Sequence, residues 1–235
     1  MKNLSIIVPA YNEENRIEEF LHDLLDYCSK NLEHYEILII NDGSTDNTRG
    51  IVSNIIKNDK KAKIINYKNN KGKGHAIFQG VLAAEGDFIL FIDADGSIHP
   101  KEIMKMYNYY QKHNVDVIIG SRKSSASYIT LHQPLYRRIL SKIFNLYSNL
   151  LFQVKINDLL CGFKGFSKGV AKKIFEDLKA FRWEFDVEIL YKARKEQYKI
   201  FELPIEWKHE EGSKIKRFDP VFIFLNLLVL RLRYL

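Results

Sequence analysis

The chain has 235 residues, 46% of them hydrophobic and 28% charged, enough for one large domain or two small ones with a buried core. Its net charge of +7 favours an anionic partner such as phosphate or an acidic membrane face; the charge is spread beside apolar stripes rather than clustered with stacking aromatics, which argues against nucleic acid. Two cysteines, Cys28 and Cys161, exclude a disulfide framework and suit a reducing compartment, and no stretch reaches the roughly 18–20 apolar residues needed to span a bilayer.

Met1 leads directly into Leu4-Ser5-Ile6-Ile7-Val8, a short apolar strand stopped by Pro9, with no apolar signal segment before it. Tyr11-Asn12-Glu13-Glu14-Asn15 follows, with Asn12 placed as the N-cap of a helix carrying Ile17, Phe20, Leu21, Leu24 and Leu25 at helical spacing. Glu36–Ile40 is a second buried strand, ending in Asn41-Asp42-Gly43-Ser44; Thr45 to about Lys57 is a helix; Lys63–Tyr67 is a third strand. Asn69–Gly74 is a flexible basic loop, then a helix runs from about His75 to Ala84, closed by Gly86. Within the loop, Gly72-Lys73-Gly74 begins like a dinucleotide fingerprint but lacks the third glycine and follows the wrong strand. Lys71 and Lys73 are either phosphate contacts or part of a solvated loop.

Phe88-Ile89-Leu90-Phe91-Ile92 then runs straight into Asp93-Ala94-Asp95-Gly96. An all-apolar run this short reads as a strand buried on both faces of a parallel sheet. Side chains at i and i+2 of an extended chain point the same way, so Asp93 and Asp95 converge just past the strand's C-terminal edge, where open α/β sheets bind ligands. Two hard oxygen donors suit Mg²⁺ or Mn²⁺, with a phosphorylated ligand filling the other positions; the competing reading is a solvated Asp-Gly turn. Asp42 and Tyr11–Glu14 end their strands at the same edge.

His99-Pro100 starts a further helix to about His113, and Val115–Ile119 is a fifth strand. Strands and helices alternating at this spacing predict a doubly wound, mostly parallel sheet. Ser121–Gln133 is polar. Leu135–Phe152 is amphipathic, with Tyr136, Ile139, Leu140, Ile143, Phe144, Tyr147, Leu150 and Leu151 on one side and Arg137, Arg138, Ser141, Lys142, Asn145 and Asn149 on the other. It reads either as a helix packed on the sheet or as one lying in a membrane interface. Asp158–Ser167 is a loop and short strand, Arg182–Glu188 opens a helix to about Lys195, and Ile200–Trp207 is an edge strand because Pro204 cannot serve a central ladder. Lys214–Phe218 is basic, and Val221–Leu230, apolar but for Asn226 and followed by Arg231 and Arg233, is too short to span but long enough to embed at a surface.

Ser5–Glu14, Asn41–Asp46 and Asp93–Gly96 resemble a GT-A glycosyltransferase of family 2. Asn69–Gly74, Gly120-Ser121-Arg122, Cys161-Gly162-Phe163-Lys164, Arg182–Glu188, Glu211–Lys214 and Arg231–Leu235 narrow the resemblance to dolichyl-phosphate β-glucosyltransferases and related polyprenyl-phosphate hexosyltransferases, over nearly the whole chain. The resemblance implies an α/β, Rossmann-like catalytic domain over 1–214, including the amphipathic segment 135–152, and a membrane-associating segment over 215–235. It implies a UDP-sugar donor, glucose favoured over N-acetylglucosamine, and a dolichyl or polyprenyl phosphate acceptor. Pro9, Ala10, Tyr11, Glu13, Asp42, Lys73, Ala94 and Arg122 would contact the nucleotide sugar, Lys73 near the base or ribose and Arg122 facing the phosphates. Asp93 and Asp95 would bind metal and sugar-phosphate. Apart from the resemblance, Arg137, Arg138 and Lys214, with Arg122, are the candidate cations for positioning the lipid phosphate, at the cytoplasmic face of a membrane. Many relatives have two acids before the Gly-Ser, but the first of those positions is Asn41 here, so only Asp42 carries over. Ser97 stands where mannosyl relatives place Gln.

The acceptor phosphate is already anionic at neutral pH, so inverting attack on the anomeric carbon needs positioning cations more than a base. Asp186 could act as base toward a hydroxyl acceptor or cap the helix it opens; Trp183 could stack on a ring or fill the core. The other readings are a transferase using GDP-mannose or a hydroxyl acceptor, and a non-catalytic module binding nucleotide sugar or anionic lipid.

Overall fold

A computed structural model describes residues 3–210, 212 and 219–234, with the backbone alone for 219–221. Lys214 and its basic neighbours 215–218 lie outside the described residues. In chain order the elements are β1 (Leu4–Ala10), α1 (Ile17–Asn31), β2 (Tyr35–Asp42), α2 (Thr48–Ile55), β3 (Ala62–Tyr67), α3 (Lys73–Ala83), β4 (Phe88–Ile92), α4 (Lys101–Lys112), β5 (Val117–Ser121), β6 (Tyr128–Leu131), α5 (Leu135–Phe152), β7 (Phe163–Ser167), α6 (Lys168–Phe175), α7 (Phe185–Lys195), β8 (Ile200–Pro204), β9 (Glu206–Lys208) and α8 (Asp219–Leu232).

Seven strands form one sheet in the order β3-β2-β1-β4-β7-β5-β8. All pairings are parallel except those of β7, which runs antiparallel between β4 and β5. The mostly parallel α/β fold expected from the strand–helix alternation is what forms. Every residue of β2, β4 and β5 is buried, because helices cover both faces. Ile7, Leu38, Ile40, Ile89 and Phe91 pack toward α3, α6 and α7. Their alternates Ile6, Val8, Ile37, Ile39 and Leu90 pack toward α1, α2 and α4. This period-two division is the alternation of an extended chain. Pro204 ends β8 at the sheet edge, where a missing N–H disturbs no inner ladder.

Several local expectations need correction. Asn12 caps no helix: α1 begins five residues later, and Asn12 adopts a left-handed φ of 55°. Its Oδ1 accepts from Thr45 N at 2.8 Å and its N–H donates to Ser44 Oγ at 3.0 Å, stitching the β1 and β2 exit loops together. α2 starts at Thr48 rather than Thr45, where Asp46 Oδ1 accepts from Thr48 N at 3.0 Å. α3 starts at Lys73 and ends at Ala83, so Lys73 belongs to a helix rather than a loop and Gly86 is no cap. Gly86 N–H donates to Ser5 Oγ at 2.9 Å instead. β6 and α6 are elements not expected from the sequence; β6 pairs with β9 in a separate two-stranded ribbon, and α6 buries Val170, Ala171, Ile174 and Phe175 on one face.

α5 spans Leu135–Phe152 as the period dictates, but it lies differently from either half of its expected pattern. Phe144, Ser148 and Phe152 face inward. On the nominally polar side, Asn145 Nδ2 donates to the carbonyls of Ile156 and Asn157 at 2.9 Å. Leu135, Ile139, Ile143, Leu146 and Leu150 point outward and are 50–75% exposed. α8 packs beside α5 through Phe224, whose ring meets those of Phe144 and Tyr147. It too leaves Phe222, Leu225, Leu228, Val229 and Leu232 exposed. No helix among the described residues is long and apolar enough to cross a membrane.

Candidate active site

The C-terminal ends of β1, β2 and β4 open into a cleft of about 1020 Å³, at the upper end of the usual size for a ligand site. Pro9, Ala10, Tyr11, Glu13, Asp42, Lys73, Asp93, Ala94, Asp95 and Arg122 all line it, and so does Arg137. Arg138 is exposed on the outer surface of α5 and does not line the cleft. Trp183 lines the cleft and packs against the core at once.

The floor is built around Asp93. Its N–H donates to Gly162 O at 3.1 Å, a bond that continues the β4–β7 ladder one step past Ile92 and Phe163. Its carboxylate rests on the face of Gly162, where a Cβ would stand 1.8 Å from Oδ2. Lys73 Nζ lies 2.6 Å from Asp93 Oδ1. Asp95 Oδ1 accepts from Ser97 N at 3.0 Å. Burial pushes the Asp93 carboxyl up, Lys73 opposes that, and the negative charges of Asp95 and Asp186 add to it. Burial works against the Lys73 ammonium, but Asp93, Asp186 and Asp95 outweigh it and raise Lys73 above its ordinary range. The floor therefore carries more negative charge than one ammonium balances.

Asp42 shapes the neighbouring wall. Asn70 Nδ2, Lys71 N and Gly72 N donate to its carboxylate at 2.8–2.9 Å, folding the 69–72 loop over the end of β2. Gly43 makes this possible: φ is +66°, and a Cβ would stand 2.5 Å from the Asn69 and Asn70 backbone. Lys71 points outward over the Tyr67 ring, so of Lys71 and Lys73 only Lys73 reaches the cleft. Glu13 is tied to Arg16 through Nε at 2.8 Å and Nη2 at 2.5 Å.

The family model for glycosyl transferase family 2 matches residues 5–175. The chain belongs to that family. A dolichyl-phosphate β-glucosyltransferase of Dictyostelium discoideum is 35% identical, over 99% of this chain and 75% of the relative. The human protein of that name is 32% identical, over 100% and 76%. In fold, the chain is similar to glucosyl-3-phosphoglycerate synthase from Mycobacterium tuberculosis, crystallised with Mn²⁺, UDP and glucosyl-3-phosphoglycerate. The TM-score is 0.72 at 16% identity, covering 98% of this chain and 80% of that one.

Arg122 lines the same cleft with its guanidinium already engaged. Nε and Nη2 donate to Asp158 at 2.8 and 2.7 Å, and its backbone N–H donates to the same carboxylate at 2.9 Å. Asp158 is wholly buried. Burial raises its pKa, but Arg122 outweighs that and holds the carboxyl below its usual value. This planar, bidentate pair braces the β5 exit against the segment before β7. No local motif in the sequence marks Asp158 for such a role. Breaking a buried pair leaves an uncompensated charge, so Asp158→Ala is expected to cost about 3 kcal/mol or more in urea unfolding. The depressed folded-state pKa means the pair stabilises the protein above about pH 4 and that this contribution is lost as pH falls through the folded value. The gap between wild type and Asp158→Ala should therefore narrow as pH falls below the unfolded-state value of about 4; a gap that stays constant as pH is lowered from there contradicts it.

Asp186 does not line the cleft. It is 3% exposed at the start of α7, with Oδ1 2.5 Å from Lys164 Nζ. Lys164 is wholly buried within β7. A lysine inside the apolar run Phe163-Lys164-Gly165-Phe166 is the signal that could have drawn attention to it, since lysine is almost never fully buried unless paired.

Proposed function

We propose that this glycosyltransferase moves a glucosyl group from a UDP-sugar to the phosphate of dolichol or another polyprenol, with inversion, using a divalent cation held by Asp93 and Asp95. The observation that carries the reading is the position of that carboxylate pair on the floor of a cleft whose wall is formed by α5 and α8. Tyr136, Arg137 and Phe144 of α5 and Ile223 and Phe224 of α8 line it, while the outer surfaces of the same helices leave many large apolar side chains exposed. The names of the relatives favour the lipid phosphate and glucose. The UDP-bound structural neighbour supports the donor class.

Among the described residues, no three His, Cys, Asp or Glu side chains group as a metal cage. Two hard carboxylates with surplus negative charge, and an ammonium already drawn onto one of them, nevertheless fit a cation completed by diphosphate oxygens. When bound, Mg²⁺ or Mn²⁺ would supply Lewis-acid stabilisation of the departing diphosphate. Asp93 and Asp95 hold the acidic floor. Lys73 brings a positive charge to the same point. The walls made by Pro9, Ala10, Tyr11, Glu13 and Asp42 accept the nucleoside, with Ala94 and Arg122 beside the sugar-phosphate. Arg137 steadies the incoming phosphate. A phosphate oxygen needs no base to attack, which accords with Asp186 being buried and paired with Lys164.

The exposed apolar faces of α5 and α8 exceed the scattered single residues usual for a monomer, and Arg138 and Lys142 lie exposed among them. That composition suits peripheral seating among anionic headgroups. The segment 215–235 contributes α8 to this face. A cytoplasmic face accords with two unpaired thiols, Cys28 and Cys161. The test is a panel of UDP-glucose, UDP-N-acetylglucosamine and GDP-mannose with polyprenyl phosphate in anionic vesicles and Mn²⁺, reading glycolipid. UDP-glucose should give the dominant product. Transfer only to a hydroxyl acceptor, or none with any donor, overturns the reading. Leu146→Glu with Leu150→Glu is expected to weaken vesicle sedimentation at least about tenfold, since each buried leucine contributes about 1.5–3 kcal/mol, without lowering the melting temperature. Unchanged sedimentation contradicts the membrane seat.

A further inference from the structure

Lys164 is the most anomalous side chain in the fold. It sits on β7, in the middle of the sheet, opposite Phe91 on one side and Ile119 on the other, with no exposure. Removing an ammonium from water costs several kcal/mol unless its donors and charge are matched. An ammonium has three N–H donors, and Lys164 has three acceptors: Leu159 O at 3.0 Å, Cys161 O at 2.7 Å and Asp186 Oδ1 at 2.5 Å. Two of them belong to one turn. The next residue of that turn is Gly162, which accepts the Asp93 N–H and backs the Asp93 carboxylate. The third acceptor anchors α7, just after the Phe181–Trp183 segment. Phe181 O accepts from His75 N–H at 3.2 Å and faces Gly72, beside Lys73.

We propose that Lys164 is a positioning residue of the transfer reaction. Its ammonium locks the 159–162 turn into the seat that aims Asp93, and ties that seat through Asp186 to the wall carrying Lys73. The inference rests on the proposed use of Asp93 as a cation ligand and deepens it. Lys164 touches neither substrate nor metal; it acts through the turn. Charge and position make opposite predictions for its removal. By Coulomb's law, deleting a positive charge can only favour a divalent cation nearby. Loosening the seat weakens the same ion.

The experiment measures Mn²⁺ affinity by electron paramagnetic resonance, with saturating UDP, in wild type, Lys164→Met and the charge-neutral Lys164→Met/Asp186→Asn. Circular dichroism and thermal melting report the fold. Both variants are expected to bind Mn²⁺ about 10–100-fold more weakly, the loss typical when a partner that orients a ligand is removed. Turnover with UDP-glucose should fall mainly in kcat rather than in KM. A folded variant of either kind that binds Mn²⁺ within about twofold of wild type, or more tightly, overturns the proposal. So does failure of both variants to fold, because the lysine would then serve the fold as a whole rather than the seat. Wild-type protein that binds no Mn²⁺ with UDP would overturn the parent reading, and this one with it. Losses confined to the variants bear on Lys164 alone.

Discussion

Asp93→Asn is expected to lower kcat/KM for glucosyl transfer by at least about 10³-fold while leaving the protein folded. Removing one preorganised group that stabilises transition-state charge costs about 10²–10³-fold in other enzymes, and here the proposed cation would also lose one of its two protein ligands. The fold should tolerate the change. Asparagine is nearly isosteric, and the ionised Asp93 carboxylate is disfavoured where it stands, by burial first and by Asp95 and Asp186 next. A group whose folded pKa is raised destabilises the protein at pH values above it. Neutralising it removes that cost, at the expense of the partner of Lys73. Steady-state kinetics beside a thermal melt decides the matter. A variant retaining more than about a tenth of wild-type kcat/KM contradicts the assignment of Asp93, as does a loss that tracks unfolding.

Gly162→Ala is expected to cut kcat about 10²-fold with little change in stability. A methyl at this position would meet Asp93 Oδ2 at 1.8 Å and Cγ at 2.3 Å, far inside van der Waals contact. The neighbour that must yield is a carboxylate on a short side chain, which rotates more cheaply than backbone moves. Overpacking typically costs about 1–3 kcal/mol, and rotation of Asp93 relieves most of it. The rate cannot be relieved the same way, because a misplacement of about 1 Å in a reacting constellation can cost 10²-fold. Kinetics at saturating Mn²⁺ and a urea melt separate the two effects. Wild-type kcat in a folded Gly162→Ala would show that Asp93 is not held against this glycine for catalysis.

The sheet was legible because its strands are buried on both faces. Five apolar residues ending on Asp93 and Asp95 can hardly be read otherwise, and the ends of β1, β2 and β4 bring their exit loops to one edge by topology alone. Helix starts were less legible. Asn12 has the residue type of an N-cap, but its side chain and backbone bond instead to Thr45 and Ser44, thirty-odd residues away. The outward face of α5 was hidden by composition. Asn145 and Asn149 look solvent-seeking, yet they satisfy carbonyls of the following loop, and the leucines are displaced outward. The least legible part is what β7 brings. Because this strand runs against its neighbours, its beginning rather than its end meets the ligand edge. Asp158, Gly162 and Lys164 therefore serve the cleft from a stretch that precedes or lies within a strand, and their partners Arg122, Asp93 and Asp186 lie 22 to 69 positions away.

On the proposed membrane seat, the two helices that wall the cleft would put a single helix diameter, about 10–12 Å, between a bilayer and the cleft. An acceptor whose tail stays in the lipid can present its head group without leaving the interface. Turnover would then follow the mole fraction of acceptor in the surface rather than its amount per litre. Diluting the acceptor with inert lipid at fixed total acceptor should slow the enzyme as effectively as withholding substrate.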